Sequence, residues 1–380
     1  MSETLTREEA LRRLLVGGAA LTMPGLFAAV ANAAAEADPR LGKTLVISNW
    51  PYYIDVNEKT GKRPTLELFQ RRYGVKVKYI EDVGGNATFF GKIQAQLRSG
   101  QSTGRDIVVL TDNEPYPALM IRNGWAEKLV KSKIPNIKNL EPVQRHPAWD
   151  TNRTYSLPWQ SFMTGIAYNK KRTKPIVSID QLLGDKKLHG KVSMLDAIPD
   201  SIGCVMLANG DDPAKITDAA FDKALKKIER AYKSGHIRRF TDNSYTGPLA
   251  RGDYWASLSW SGDIVQLQPS NANLHWVIPT NGGLIATYNM LIPKKGDAYT
   301  ASVFMNFVYD PVIQAKIEAY INYVCPVSGT RQVLAKTEPA QAKNPLIFPP
   351  PSTLKKLHLW DPNALFNADY KEKWQRLLGA

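Results

Sequence analysis

The stretch Asn49-Trp-Pro-Tyr-Tyr53 gathers three aromatic rings, Trp50, Tyr52 and Tyr53, beside a proline at the end of the apolar run Leu45-Val46-Ile47. A strand end furnished in this way is either the lip of a core or the wall of a pocket, and both readings stand at this point. Other reactive chemistry is sparse. A hydrolase would need two nearby carboxylates, a serine or cysteine nucleophile with a histidine, or a metal cluster. His146, His189, His236, His275 and His358 are isolated, with no His-x-x-x-His and no Gly-x-Ser-x-Gly in the chain. No enzymatic activity, metal or cofactor is expected, and a secreted hydrolase is the main rival from another class.

The elements that position these rings alternate. Leu45 to Ile47 reads as a strand, Thr65 to Tyr73 as a helix stopped by Gly74, and Val75 to Tyr79 as a strand again. A helix through Phe89, Ile93 and Leu97 leads to the apolar run Ile107–Leu110, and a third helix runs from Tyr116 to Arg122. Such alternation predicts a parallel sheet covered by helices. After the strand-like Gly165 to Asn169, a second block follows: strands at Val192–Leu195, Ala256–Trp260 and Leu274–Ile278, a helix from Ser201 to Ala208, and one with Phe221, Leu225, Ile228 and Tyr232 on one face. Beyond a strand at Met290 to Pro293 come helices Ala301–Tyr309 and Pro311–Tyr320, the latter started by Asp310-Pro311, and a helical tail carrying Tyr370, Trp374 and Leu378.

The 380 residues exceed one ordinary core, so two domains are expected, and 43% hydrophobic with 22% charged residues is a globular composition. Arg12-Arg13, the apolar stretch Leu14 to Val30 and Ala31-Asn32-Ala33 read as an export signal over residues 1–33, with the paired arginines pointing to a twin-arginine route. No cysteine follows the apolar region, so a lipoprotein anchor is not expected. Cys204 and Cys325 are too few for a disulfide scaffold and are expected to be buried and inert. The net charge of +14 comes from scattered groups such as Lys170-Lys171-Arg172 rather than a stripe with interleaved aromatics. A solvated basic surface is therefore expected, and no nucleic-acid partner.

From Asn49-Trp50-Pro51-Tyr52-Tyr53 onward the chain resembles the extracytoplasmic spermidine/putrescine-binding proteins of ABC importers, whose first mature strand ends in Asn-Trp-x-x-Tyr. The likeness continues in order through Asp106–Thr111, Tyr155-Ser-Leu-Pro158, Trp260-Ser-Gly-Asp263, Asp310-Pro311-Val and Asn322-Tyr323-Val-Cys-Pro326, spanning about residues 44 to 375. The resemblance implies an α/β, two-lobe type II periplasmic binding fold with a ligand cleft between the lobes. Lobe 1 would comprise 41–165 plus 284–328, and lobe 2 166–283 plus 329–380. It also implies a monomer that captures a small amine in the periplasm and delivers it to membrane permease subunits.

By the same resemblance, Trp50, Tyr53, Trp260 and Tyr323 form an aromatic box for methylenes and cations. Asp196, Asp200 and Asp263 supply carboxylates, Thr111 and Asn113 hydrogen bonds, and Asp361 a polar group from the tail. Asp200 precedes the helix expected from Ser201, so its role as helix cap stands beside that of ligand. The chain departs from the family where a Trp and, two residues on, an ammonium-holding Asp are replaced by Ala286 and Tyr288. A phenol cannot supply a carboxylate's charge, so either Asp263 replaces that anchor or the ligand carries fewer cationic groups. Alternatives within the fold are another small cationic or amino solute, iron or thiamine. An iron binder pairs tyrosines late in the chain, whereas the adjacent pair here, Tyr52-Tyr53, is early.

Overall fold

The computed structural model describes residues 38–57 and 59–379, so the expected export signal lies outside the described residues. They form two compact units. The chain begins in the first with β1 (Thr44–Ser48), α1 (Pro64–Tyr73), β2 (Lys76–Ile80), α2 (Asn86–Arg98), β3 (Ile107–Thr111) and α3 (Tyr116–Arg122), and leaves it along β4 (Ser156–Asn169). In the second unit follow α4 (Ile179–Gly184), β5 (Val192–Leu195), α5 (Ile198–Ala208), α6 (Asp218–Lys233), β6 (Ile237–Thr241), α7 (Thr246–Arg251), β7 (Ala256–Trp260), α8 (Ser261–Leu267) and β8 (Leu274–Val277). Strand β9 (Gly283–Leu291) returns the chain to the first unit, which ends with α9 (Ala298–Val308), α10 (Pro311–Ile321), α11 (Thr330–Thr337) and α12 (Pro339–Ala342). The tail, with α13 (Pro351–Leu354), β10 (Leu357–His358) and α14 (Ala368–Leu378), belongs to the second.

In the first unit β1 lies parallel to both β2 and β3, and β3 pairs antiparallel with β9 in a register that sets Thr111 opposite Tyr288. Every residue of β3 is buried, which is why it reads as an unbroken apolar run rather than an alternation. Helix α1 starts with Pro64 in its first turn and stops at Gly74, whose φ of 68° is the left-handed C-cap conformation that favours glycine. Helix α10 is capped by Asp310, whose side chain accepts from Val312 N at 2.8 Å.

In the second unit β5 runs parallel to β6 and β7, while β4 pairs antiparallel with β7 and β8. Its core packs Phe221, Ala224, Ile228 and Ala231 of α6 with the tail residues Tyr370 and Trp374. The Phe221 and Tyr370 rings stack with centroids 4.0 Å apart. Residues 329–348, expected with the second lobe, cluster with the first unit because Leu334 and Ala342 pack on Ala315 of α10. Cys204 and Cys325 are free and buried, and burial pushes both thiols well above their usual range.

Candidate functional site

In the first unit the chain leaves β1 into a turn held by short polar bonds. Asn49 Oδ1 accepts from Trp50 N at 2.8 Å, and Glu81 Oε1 accepts from Tyr52 N at 3.0 Å. Tyr52 adopts φ 65°, a left-handed conformation that a tyrosine rarely takes, so the turn is held by its surroundings rather than by local preference. Two indoles then lock it: Trp50 Nε1 donates to Val109 O at 3.1 Å, and Trp159 Nε1 donates to Tyr53 O at 3.0 Å.

The result is one contiguous group of four rings. Tyr288 stands edge-on to Trp50 at 5.4 Å and to Tyr53 at 4.8 Å, while Tyr323 lies 5.4 Å from Tyr53 and 6.2 Å from Tyr288. Tyr53, Tyr288 and Tyr323 are nearly excluded from solvent, at 1%, 9% and 3% exposure, whereas Trp50 is half-buried against the core below β3. The question posed by the strand end thus resolves into a group of touching rings with one indole at its margin. Edge-to-face packing of this kind stabilises by about 0.5–1.5 kcal/mol per pair beyond area burial.

Polar residues border the rings. Thr111, the register partner of Tyr288, donates its N–H to Asn86 Oδ1 at 3.0 Å, and the Asn86 amide nitrogen donates back to Thr111 Oγ1 and to Glu114 Oε1 at 2.7 Å. Asn113 Oδ1 is buried with no hydrogen-bond partner among the described residues. Asp112, between them, turns inward, where its Oδ1 accepts from Thr287 N at 2.7 Å and burial raises its pKa. Arg153 is a buried strut nearby, bonded to Gln144 O, Ser156 Oγ and Asn289 Oδ1.

The second unit holds the carboxylates. Helix α5 begins at Ile198 with Ala197 as its cap, so Asp200 sits inside the first turn and is not the cap that its position before Ser201 had suggested. Instead Trp260 Nε1 donates to Asp200 Oδ1 at 3.1 Å, and the Thr164 hydroxyl donates to the same oxygen. Thr164 and Trp260 are direct partners across β4 and β7, which is why they can converge. Asp200 is 2% exposed, and burial pushes its pKa up to about 6 against the pull of these two donors. No lysine or arginine among the described residues lies within ion-pair distance of it.

Asp263, 2% exposed in the first turn of α8, accepts from Tyr245 OH at 2.8 Å. The same phenol oxygen accepts from Trp260 N at 3.1 Å, tying Asp263, Tyr245, Trp260 and Asp200 into one network. Asp196 and Asp361 are not joined to it by any hydrogen bond among the described residues. The Asp196 side chain is exposed while its carbonyl accepts from Trp374 Nε1 at 2.7 Å, and the Asp361 carboxylate accepts from Asn363 N at 2.9 Å as a helix cap. Thr164, Tyr245, Asn86 and Glu114 went unnoticed in the sequence. Only the antiparallel pairing of β4 with β7 would have singled out Thr164, and nothing in the sequence distinguishes the other three.

The profile of the bacterial extracellular solute-binding proteins matches residues 65–348, and the chain belongs to that family. The putrescine-binding periplasmic protein SpuD of Pseudomonas aeruginosa is 27% identical over 89% of this chain and 91% of its own length. The spermidine/putrescine-binding periplasmic protein of Escherichia coli is 24% identical over 96% and 97%. Among solved structures, the spermidine/putrescine ABC transporter substrate-binding protein PotD of Streptococcus pneumoniae superposes with a TM-score of 0.74 at 20% identity, covering 88% of this chain and 98% of that one. The α/β fold is therefore that of the two-lobed periplasmic binding proteins.

Proposed function

We propose that the protein is the exported solute-capturing component of an ABC importer and that its solute is a polyamine of the putrescine or spermidine kind. A buried carboxylate is costly unless a cation meets it. The observation that carries the reading is Asp200, closed off from water, oriented by Trp260 and Thr164, and paired with no cation among the described residues. An ammonium group supplies that charge. The ring group Trp50, Tyr53, Tyr288 and Tyr323 offers the apolar faces that methylenes and cations require, and Asp263 offers a further carboxylate. The names of the relatives agree with this chemistry.

Capture then engages the rings and the acids, and the loaded protein delivers the solute to permease subunits. Thr111 and Asn113 are assigned to hydrogen bonds with the solute, and Trp260 to stacking. Asp196 and Asp361 act through the segments they hold rather than by direct contact. The protein is read as a periplasmic monomer. Calorimetry and thermal shift with putrescine, cadaverine, spermidine, γ-aminobutyrate and thiamine test the reading: a diamine or triamine binds in the micromolar range or tighter and raises Tm. A panel in which thiamine or the amino acid binds and no polyamine does would overturn it.

A further inference from the structure

We propose that the second unit carries a surface site for a phosphate-bearing anion at the end of β4, separate from the residues assigned to the solute. A cavity of about 660 Å³ opens there among Asn169, Lys171, Arg172, Arg251, Asn271 and Asn273, a size that suits a small organic anion. Three of these residues are cationic, and no carboxylate lines the cavity. Asn169 lies five residues along β4 from Thr164, the donor to Asp200, a span of roughly 17 Å in an extended strand. The inference does not depend on which solute the protein carries.

The wall of the cavity occupies its own acceptors. Asn169 Oδ1 accepts from Lys171 N at 3.0 Å, Asn271 Oδ1 from Asn273 N at 3.1 Å and Nδ2 at 3.0 Å, and Ala250 O from Asn271 Nδ2 at 2.9 Å. The cations are met less well. Arg251 ends α7, where a positive charge suits the helix terminus, and it pairs with Asp253 Oδ2 at 3.1 Å. Arg172 is brought against the same turn, because Gly252 follows Arg251 with φ 85° and a Cβ on it would lie 2.7 Å from Arg172 Nε. No ion-pair partner of Arg172 or Lys171 lies among the described residues. One turn therefore gathers two guanidinium groups against a single carboxylate, and Lys171 adds a third cation. An anion relieves that crowding of like charge, and the guanidinium fork matches phosphate oxygens in pairs.

The test is calorimetry of the full chain with inorganic phosphate and with glycerol 1-phosphate, beside co-sedimentation with phosphatidylglycerol vesicles, all at roughly physiological salt. Wild type binds in at least one arm. Binding in solution identifies a free phosphate or phosphate ester as the occupant, and binding confined to the vesicles identifies a lipid headgroup. Lys171→Gln/Arg172→Gln lowers that binding roughly tenfold or more. Lys226→Gln/Arg230→Gln removes two exposed charges from α6 and leaves it within about twofold. Equal losses in the two double variants reduce the effect to general surface charge and overturn the site. A wild type that binds no phosphate in any arm overturns it as well.

Discussion

Trp260 donates its indole N–H to Asp200 across 3.1 Å, and it does so from the strand position directly opposite Thr164, the other donor to the same carboxylate oxygen. A single register of β4 against β7 therefore decides how the acid of α5 is held. A slip by one residue would turn both donors to the other face of the sheet.

Because burial pushes Asp200 up to about 6 in the folded protein, above the usual carboxylate range, protonation would compete with the proposed solute there. Polyamine affinity is expected to be flat above pH 7 and to drop roughly tenfold at pH 5, where about one carboxylate in ten remains ionised. The unliganded protein responds with the opposite sign. A raised acid means that the folded state binds the proton more tightly than the unfolded one, so this group's contribution to stability declines as pH rises from 4 through 6. Asp200→Asn should abolish both slopes. A variant with the wild-type pH profile of binding would show that another group titrates.

Glu318 of α10 is fully buried, and burial raises it to about 8. The acid is thus neutral over most of the physiological range, and ionising it at alkaline pH costs stability. Glu318→Gln keeps the shape and removes the charge. Its Tm should match wild type near pH 5 and exceed it by several degrees at pH 9, as read by calorimetry across pH. A lower Tm than wild type at pH 9 would refute the assignment.

Glycines at two positions should respond oppositely to alanine. A Cβ on Gly165 would lie 2.5 Å from Val277 O and 2.6 Å from Trp276 Cζ2, and the paired strands cannot open to admit it. Gly165→Ala should cost about 1–3 kcal/mol in denaturant unfolding. Gly91, in the interior of α2, has nothing within 4 Å of such a carbon. Gly91→Ala should gain about 0.5–1 kcal/mol by the same measurement.

Much of the architecture could be read from spacing. Periodic apolar positions such as Leu66 with Phe69, and Phe221 with Ile228, lie on buried helix faces, and the run Ile107 to Leu110 is a central strand. What escaped depended on pairing at long range. Helix α5 starts three residues earlier than Ser201 because Ala197 can end the preceding segment and Pro199 suits a first turn, and the apolar pattern alone did not mark this. Tyr288 was noticed as a lost charge, and its place among three other rings follows from the β3–β9 ladder. The bridge from Asn86 to Glu114 joins residues 28 positions apart in a turn that carries no periodic signal.

The indole of Trp374 grips the carbonyl of Asp196, a residue made 178 positions earlier, just ahead of the helix that presents Asp200. The bond closes a loop of 178 residues, so the start of the helix that carries Asp200 is tied to the docking of the tail helix rather than to its sequence neighbours alone.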